Sequence, residues 1–190
     1  HFSVVDKEGN AVSLTYTLEY GYGSLMGSNK LGFIFNNEMG DFNPIPNHTS
    51  ISGLIGTRPN IIEPEKRMLS SMTPTIIAKD GKPFLVIGSP GGRTIINTVF
   101  QTVLNVLGYG MPVDRAIESM KIHHQWSPDV LQFEEHLMSP DTRKALEKMG
   151  HTLRASSGLG ALMGITINPE TGIITGASDS SRPEGAAIGY

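Results

Sequence analysis

The chain has 190 residues, of which 38% are hydrophobic and 17% are charged, so it is long enough and apolar enough to bury a substantial core. Its formal charge of -3 argues against binding to nucleic acid or to an acidic membrane surface. The absence of cysteine excludes disulfides, thiolate metal sites and a cysteine nucleophile.

The first part of the chain predicts a β-hairpin. It opens without methionine on a strand pattern, Phe2 to Val5, which indicates the product of a cut and a soluble, processed polypeptide. A second extended run, Ala11 to Leu18, alternates apolar and hydroxyl side chains, so the hairpin has one polar face. Gly32 to Phe35 predicts another short strand. In residues 43–68 the apolar side chains follow neither helix nor strand spacing. This segment therefore predicts a long irregular connection, of a kind that is usually functional or mobile.

The middle of the chain predicts a second hairpin followed by helices. Pro74 to Lys79 and Pro83 to Gly88 flank an Asp-Gly turn, and the second strand leads into a Gly-Gly pair. Apolar residues at helical spacing then predict a helix from Ile95 that stops at Gly108. Pro112 opens a second helix that runs to about Met120.

The last part of the chain predicts one more helix and one more hairpin. Ser139 as the N-cap and Gly150 beyond the end delimit the helix. Leu162 to Asn168 and Ile173 to Ala177 flank a turn and form the hairpin. Strands at both ends with helices between them predict an α+β fold with a largely antiparallel sheet.

Thr15, Thr17 and Glu19 form the first candidate cluster. On a strand they share one face by the period of two, where they are either functional or an ordinary solvated face. Glu38 and Asp41 form the second cluster at the end of a short strand. They either receive a ligand ammonium or decorate a turn.

The third cluster joins Ser70 and Ser71 to the later pair Gly91 and Gly92. Consecutive glycines at a helix start expose main-chain N–H groups that suit a carboxylate, a phosphate or an oxyanion. An ordinary tight turn has the same sequence pattern. No phosphate-loop or dinucleotide motif occurs, so nucleotides are disfavoured.

The histidines give weaker signals. His123 and His124 are adjacent and cannot both face one ion from a regular element, so no metal site is expected. His1 is either an exposed terminal base or an ordinary strand residue. Asn47 satisfies the glycosylation sequon, which is too common to interpret.

In order and spacing, the clusters resemble the small subunit of gamma-glutamyltranspeptidase, an N-terminal-nucleophile hydrolase. The resemblance covers essentially the whole chain. Its motifs are His1-Phe2-Ser3-Val4-Val5-Asp6, Asn36-Asn37-Glu38-Met39, Leu69-Ser70-Ser71-Met72-Thr73-Pro74-Thr75-Ile76, Gly88-Ser89-Pro90-Gly91-Gly92, His123-His124-Gln125-Trp126 and Gly176-Ala177-Ser178-Asp179.

The resemblance implies a proenzyme that cuts itself into a heterodimer, in which a large and a small subunit share an αββα four-layer sandwich. A threonine at the new N-terminus attacks the gamma-glutamyl amide of glutathione or a related compound. The acyl-enzyme then passes to water or to an acceptor amino acid or peptide. No cofactor is implied, and the expected location is the periplasm or the extracellular space.

The resemblance also implies roles for the clusters. Thr17 supports the nucleophile, while Gly91 and Gly92 form the oxyanion hole. The residues expected to bind substrate are Glu19, Glu38 and Asp41 at the α-amino group and Ser70 and Ser71 at the α-carboxylate, which an arginine of the large subunit also contacts.

This chain departs from the family pattern at three positions. Glu19 stands where many members carry asparagine, which adds negative charge near the ligand ammonium. Ser52, in a lid-like loop over 43–68, stands where an aromatic residue often closes the pocket. The motif has two threonines before the histidine, so the nucleophile is expected two residues before His1.

Two other functions stay open. The chain is an acylase for another amide, such as a cephalosporin side chain or poly-gamma-glutamate, or it is an inactive homologue or fragment that binds gamma-glutamyl compounds. In each case residues 1–190 are expected to form a single domain.

Overall fold

The computed structural model describes residues 1–43, 45–46, 48 and 58–189. Contacts divide the chain into two compact units. The sheet unit comprises His1–Thr15, Ser71–His124 and Asp129–Tyr190, and the loop unit comprises Tyr16–Ser70 and Gln125–Pro128. The single domain over 1–190 stays a prediction. None of the helices in the described part of the chain is long and apolar enough to span a bilayer.

The predicted helices and hairpins are present, but strands also occur among the helices and are not grouped only at the two ends of the chain. The strands of the described residues are β1 (Phe2–Val5), β2 (Ala11–Leu14), β3 (Gly27–Ser28), β4 (Phe33–Ile34), β5 (Thr75–Lys79), β6 (Lys82–Gly88), β7 (Ile122–His123), β8 (Leu131–Glu134), β9 (Leu153–Ser156), β10 (Met163–Ile167) and β11 (Ile174–Ser178). The α-helices are α1 (Ile95–Tyr109), α2 (Val113–Glu118) and α3 (Pro140–Lys148). Short 3-10 helices cover Glu38–Asp41, Arg58–Asn60 and Gly92–Thr94.

The sheet unit is built around a four-stranded antiparallel sheet in the order β11-β10-β6-β5. Leu85 and Ile87 of β6 are fully buried in one cluster with Val113 and Ile117 of α2 and with apolar residues of α1. The alternation of side chains along β6 turns these two residues to one face, so the helices cover that face of the sheet. Both predicted hairpins of this sheet are confirmed.

The hairpin of β1 and β2 packs against the same sheet through its polar side chains. Ser13 donates its hydroxyl to the main-chain oxygen of Ile87 at 3.0 Å, and Ser3 donates to that of Met163 at 3.3 Å. The opposite face holds four apolar side chains that are between 39% and 51% exposed: Phe2, Val4, Val12 and Leu14. The sheet unit therefore has a helix layer and two strand layers, the last with an apolar outer face.

Strand β2 is shorter than predicted. It ends at Leu14 rather than at Leu18, opposite Phe2 at the start of β1. The next residue, Thr15, uses its hydroxyl to hydrogen-bond the ring of His1 at 2.8 Å, and Glu19 has a left-handed φ of +72° that a strand does not allow. The predicted strand face of Thr15, Thr17 and Glu19 is therefore wrong.

A small mixed sheet was not predicted. Strands β7, β8 and β9 form it, with β8 and β9 parallel and α3 in the connection between them. Leu131 and Phe133 of β8 are buried with Met138, and Leu146 of α3 packs against them.

The helix ends follow capping chemistry. Ser139 accepts the main-chain N–H of Thr142 at 3.1 Å, so the predicted N-cap of α3 is confirmed. Helix α1 runs past Gly108 to Tyr109, and Gly110 takes the left-handed conformation with a φ of +66°. The predicted stop at Gly108 is therefore too early.

The loop unit contains little regular structure. Strands β3 and β4 pair as a short hairpin, of which only the second strand was predicted. Asn43 forms an isolated parallel bridge with Ile61. Ser52, which stands where an aromatic lid residue is often found, and the sequon residue Asn47 lie outside the described residues.

Candidate active site

Three carboxylates of the loop unit lie together. The 3-10 helix Glu38–Asp41 brings its two acids into one turn. The carboxylate of Glu19 lies directly on Gly40, in the space that a Cβ there would occupy. A side chain at position 40 would therefore displace the carboxylate of Glu19.

Thr17 connects these acids through its hydroxyl. Its Oγ1 accepts the main-chain N–H of Glu19 at 2.7 Å, which fixes the turn that follows β2. The same side chain lowers the pKa of Glu38, so its hydroxyl lies near that carboxylate. Thr17 and Glu19 thus meet through a turn and not through the face of a strand.

The electrostatics of this cluster favour a cationic ligand. Burial, a hydrogen bond to Asp41 and the charges of Asp41 and Glu19 raise the pKa of Glu38, against the hydrogen bond from Thr17. Burial and the charge of Asp41 also raise the pKa of Glu19. Glu19 Oε2 and Glu38 Oε1 are shielded from solvent and have no hydrogen-bond partner among the described residues. A ligand ammonium would supply both the missing donors and the opposite charge.

Ser70 and Ser71 lie on the irregular segment before β5. Ser70 is exposed at the end of the loop unit, and Ser71 is half-buried at the start of a sheet-unit segment. The residue before them, Leu69, donates its main-chain N–H to Asn60 Oδ1 at 3.0 Å. Sequence reasoning missed Asn60, because a single asparagine in an irregular segment carries no periodic signal.

Gly91 and Gly92 begin the 3-10 helix that continues into α1. Gly91 has a φ of +140° and Gly92 a φ of +58°, both in the region that favours glycine. A Cβ on Gly92 would meet nothing within 4 Å. The N–H groups at such a helix start suit an oxyanion, as predicted for this turn.

A platform of buried residues supports Gly91. Gly160 packs against it, and Ser89 accepts the N–H of Ala161 at 2.8 Å while donating to the main-chain oxygen of Pro90 at 2.6 Å. Thr98 of α1 donates to the main-chain oxygen of Leu159 at 2.6 Å. These contacts are distant in sequence, and sequence reasoning therefore did not find them.

The ring of His1 is fixed inside the sheet unit. Its Nδ1 lies 2.8 Å from Thr15 Oγ1 and its Nε2 lies 3.2 Å from Ser3 Oγ. The ring also lies on Gly88, since a Cβ there would stand 2.7 Å from Nδ1. His1 is thus held beside Gly88, the last residue of β6, which precedes Gly91 by three positions.

A buried ionic group lies elsewhere in the sheet unit. Lys121 Nζ lies 3.2 Å from Asp179 Oδ2 and 3.5 Å from Glu134 Oε2. All three residues are buried. Burial raises the pKa of Asp179, but hydrogen bonds from Ser181 and the charge of Lys121 outweigh it and lower that pKa below its ordinary value.

His123 is buried in β7, and His124 lies 2.9 Å from the carboxylate of Asp129. Within the residues that the structure describes, no three histidine, aspartate or glutamate side chains converge as a metal ion would require.

Comparison with known proteins identifies relatives of the whole chain. The family model described as gamma-glutamyltranspeptidase matches residues 1–190. The glutathione hydrolase proenzyme of Escherichia coli strain K12 is 44% identical over 190 residues, which are 100% of this chain and 32% of that protein. The chain thus spans about a third of the length of that curated relative.

Solved structures match the fold. A gamma-glutamyltranspeptidase mutant from Helicobacter pylori gives a TM-score of 0.90 at 42% identity, over 96% of this chain and 99% of that chain. The predicted fold class, α+β of the N-terminal-nucleophile hydrolase type, is confirmed. The cephalosporin acylase from Bacillus halodurans gives a TM-score of 0.73 at 20% identity, over 87% of this chain and 29% of that chain, and shows a shared fold alone.

Proposed function

The chain belongs to the gamma-glutamyltranspeptidase family, and on that premise we propose that it is the catalytic small subunit of a gamma-glutamyltransferase and glutathione hydrolase. The substrate is glutathione or a related gamma-glutamyl compound, and the acceptor is water, an amino acid or a peptide. The complete protein acts at the periplasmic or extracellular side of the cell.

The carboxylate cluster of the loop unit carries this proposal. Glu19, Glu38 and Asp41 offer acceptors and negative charge, and two of their shielded oxygens lack a partner among the described residues. A gamma-glutamyl group ends in an ammonium and a carboxylate. Its ammonium fits the cluster, and its carboxylate fits the hydroxyls of Ser70 and Ser71.

The reaction proceeds through an ester on a threonine two residues before His1. The threonine oxygen bonds to the gamma-carbonyl carbon while its proton passes to the threonine α-amino group, whose ordinary pKa of about 7.7–8.0 suits a general base. The N–H groups of Gly91 and Gly92 stabilise the oxyanion. Collapse breaks the amide C–N bond, and the leaving amine takes the proton.

The second half-reaction reverses these steps with a new nucleophile. Water or an acceptor amine loses a proton to the same α-amino group and attacks the ester carbon. The threonine oxygen then leaves and is reprotonated. Glutamate or a new gamma-glutamyl amide is released, so atoms and charges balance without a cofactor.

A large subunit from the same precursor completes the protein. The outer face of the β1–β2 hairpin exposes four apolar side chains, Phe2, Val4, Val12 and Leu14, which a further layer would cover. That layer turns the three layers of the sheet unit into the four-layer αββα sandwich, and the large subunit supplies the arginine for the substrate carboxylate.

Three amides test the proposal on the complete protein. A gamma-glutamyl amide should be cleaved far faster than the matching glutaryl amide, because the latter has no ammonium for the carboxylate cluster. Preference for the glutaryl amide would favour an acylase, preference for a polyglutamyl chain would favour a depolymerase, and binding without cleavage would favour an inactive homologue.

A further inference from the structure

Asn60 is a buried asparagine at the end of the 3-10 helix Arg58–Asn60, and it contacts two separate segments of the loop unit. Its Nδ2 donates to the main-chain oxygen of Asp41 at 2.7 Å and lies 3.5 Å from Asn43 Oδ1. Its Oδ1 accepts the main-chain N–H of Leu69 at 3.0 Å.

The main chain of Asn60 strengthens the same connection. Its carbonyl oxygen accepts the N–H of Asn43 at 2.8 Å, and the adjacent residue Ile61 forms the parallel bridge with Asn43. The segment after Asp41 therefore runs beside the segment at Asn60. The buried side chain of Asn60 then links this pair of segments to Leu69 through a hydrogen bond.

The carboxamide of Asn60 has a single orientation that satisfies its neighbours. The amide nitrogen faces a carbonyl oxygen and the amide oxygen faces an N–H group. A rotation of the group by half a turn would place donor against donor and acceptor against acceptor. The two main-chain groups are thus held at a defined separation.

We propose that Asn60 is a positioning residue for the α-amino-acid head group of the substrate. It joins the main chain of Asp41, an acceptor for the ammonium, to the main chain of Leu69, which directly precedes Ser70, a donor for the carboxylate. The inference rests on the proposed function, since it assumes those two roles. Asn60 itself touches no substrate atom and acts through the two residues that do.

Three anilides test the proposal on the complete protein that contains this chain. The gamma-glutamyl anilide has both head-group charges, the glutaryl anilide lacks the ammonium, and the 4-aminobutyryl anilide lacks the carboxylate. Asn60→Ala should lower kcat/KM for the gamma-glutamyl anilide by about 10- to 100-fold, mainly through KM. The two truncated substrates cannot use both anchors at once, so their kcat/KM should change by less than about 3-fold.

Ser28→Ala is the matched control. Ser28 accepts the N–H of Leu31 at 3.1 Å in the β3–β4 turn, so the variant also loses a side-chain hydrogen bond of the loop unit but not one near Asp41 or Leu69. All three rates should keep their ratios. If Asn60→Ala does not fold, Asn60→Ser keeps one hydrogen-bonding atom and should give an intermediate loss of selectivity.

Two results would overturn the role of Asn60. One is an equal fall for all three anilides in a folded Asn60 variant, which indicates a purely structural residue. The other is unchanged selectivity in Asn60→Ala or in a folded Asn60→Ser. Failure of the proposed function itself gives a different result, because the unaltered protein would then show no preference for the gamma-glutamyl anilide.

Discussion

Gly91 and Gly160 pack main chain against main chain, so that a Cβ added to Gly91 would lie 3.0 Å from the Cα of Gly160. Gly160 is itself buried and closely packed, since the position that a Cβ there would take lies 2.7 Å from Ser89 Oγ and 3.1 Å from Thr98 Cγ2. The main chain of Gly91 therefore lies against a buried, closely packed surface that limits where its N–H can move.

This packing distinguishes the two glycines of the proposed oxyanion hole. Gly91→Ala should lower kcat by about 10²–10³ with little change in ground-state affinity, because the N–H must move from the oxyanion. An alanine at Gly92 meets nothing within 4 Å, although its φ of +58° strains any side chain there, so Gly92→Ala should lower stability more than turnover and should reduce kcat by less than about 10-fold. Steady-state kinetics of both folded variants measure the difference. Equal losses of kcat would contradict the claim that packing against Gly160 makes Gly91 the more sensitive position.

The fold was predictable where a turn or a helix end has a clear local signal. The hairpin of β5 and β6 and the start of α3 are confirmed, because an Asp-Gly turn and a helix cap are local signals. The sheet of β7, β8 and β9 was missed, since β7 has two residues and the pairing of β8 with β9 is non-local.

The site was predictable only as separate pieces. The acids at 38 and 41 and the glycines at 91 and 92 mark turns that the sequence reveals. Asn60, Gly160 and the ionic partners of Lys121 act through contacts between distant segments, which no local pattern reports. The strand that was expected to align Thr17 with Glu19 ends at Leu14. Beyond it, the hydroxyl of Thr15 hydrogen-bonds the ring of His1, and that of Thr17 accepts the N–H of Glu19 in a turn.

Binding of gamma-glutamyl compounds should weaken at mildly acidic pH. The pKa of Glu38 is raised by burial and by its hydrogen bond to Asp41, so this carboxyl takes up a proton at a higher pH than an ordinary glutamate. A protonated carboxyl no longer attracts an ammonium, and KM should rise as the pH falls through that raised pKa. KM measured from about pH 4 to about pH 8 tests this expectation.

Glu38→Gln should move the acidic rise in KM to lower pH, because glutamine does not titrate. Glu63→Gln changes a solvated acid of the same unit and should leave the profile as it is. If the dependence of KM on pH is the same in Glu38→Gln as in the unaltered protein, Glu38 does not bind the ammonium.

Breaking the buried ionic group should destabilise the protein strongly, because it leaves buried charge without a partner. Lys121→Met leaves Glu134 and Asp179 without their buried cation and should lower the free energy of unfolding by about 3–5 kcal/mol. Urea unfolding of the complete protein measures this change in the free energy of unfolding. Lys144→Met, on the exposed side of α3, is the control and should change the value by less than about 0.5 kcal/mol.

The pH dependence of that contribution has a defined sign. The pKa of Asp179 is lowered in the folded state, so the stabilisation is present above the ordinary aspartate pKa of about 3.9 and is lost as the pH falls through the lowered pKa. A Lys121→Met protein as stable as the unaltered one would show that Glu134 and Asp179 do not need the buried cation in the folded state.

The outer face of the β1–β2 hairpin should govern assembly. Val4 and Val12 are paired across the two strands and are both about half-exposed. Changing both to lysine should reduce self-association of the isolated chain and should prevent its association with the large subunit, because charges cannot be buried there. Met149→Lys, at an exposed site after α3, should do neither.

Sedimentation of the isolated chain and of the co-expressed protein measures both effects. We expect the unaltered chain alone to associate or to unfold without cooperativity. A monomeric chain with a cooperative transition would contradict the need for a covering layer.

The nucleophile is the centre of the account, and mass spectrometry tests it most directly. The complete protein is incubated with a gamma-glutamyl analogue that reacts irreversibly with the nucleophile, and the labelled peptide is then sequenced. The account predicts a chain that begins with threonine two residues before His1 and carries the label on that threonine. A mature chain that begins at His1 and still cleaves a gamma-glutamyl amide, or a label on any other residue, would contradict it.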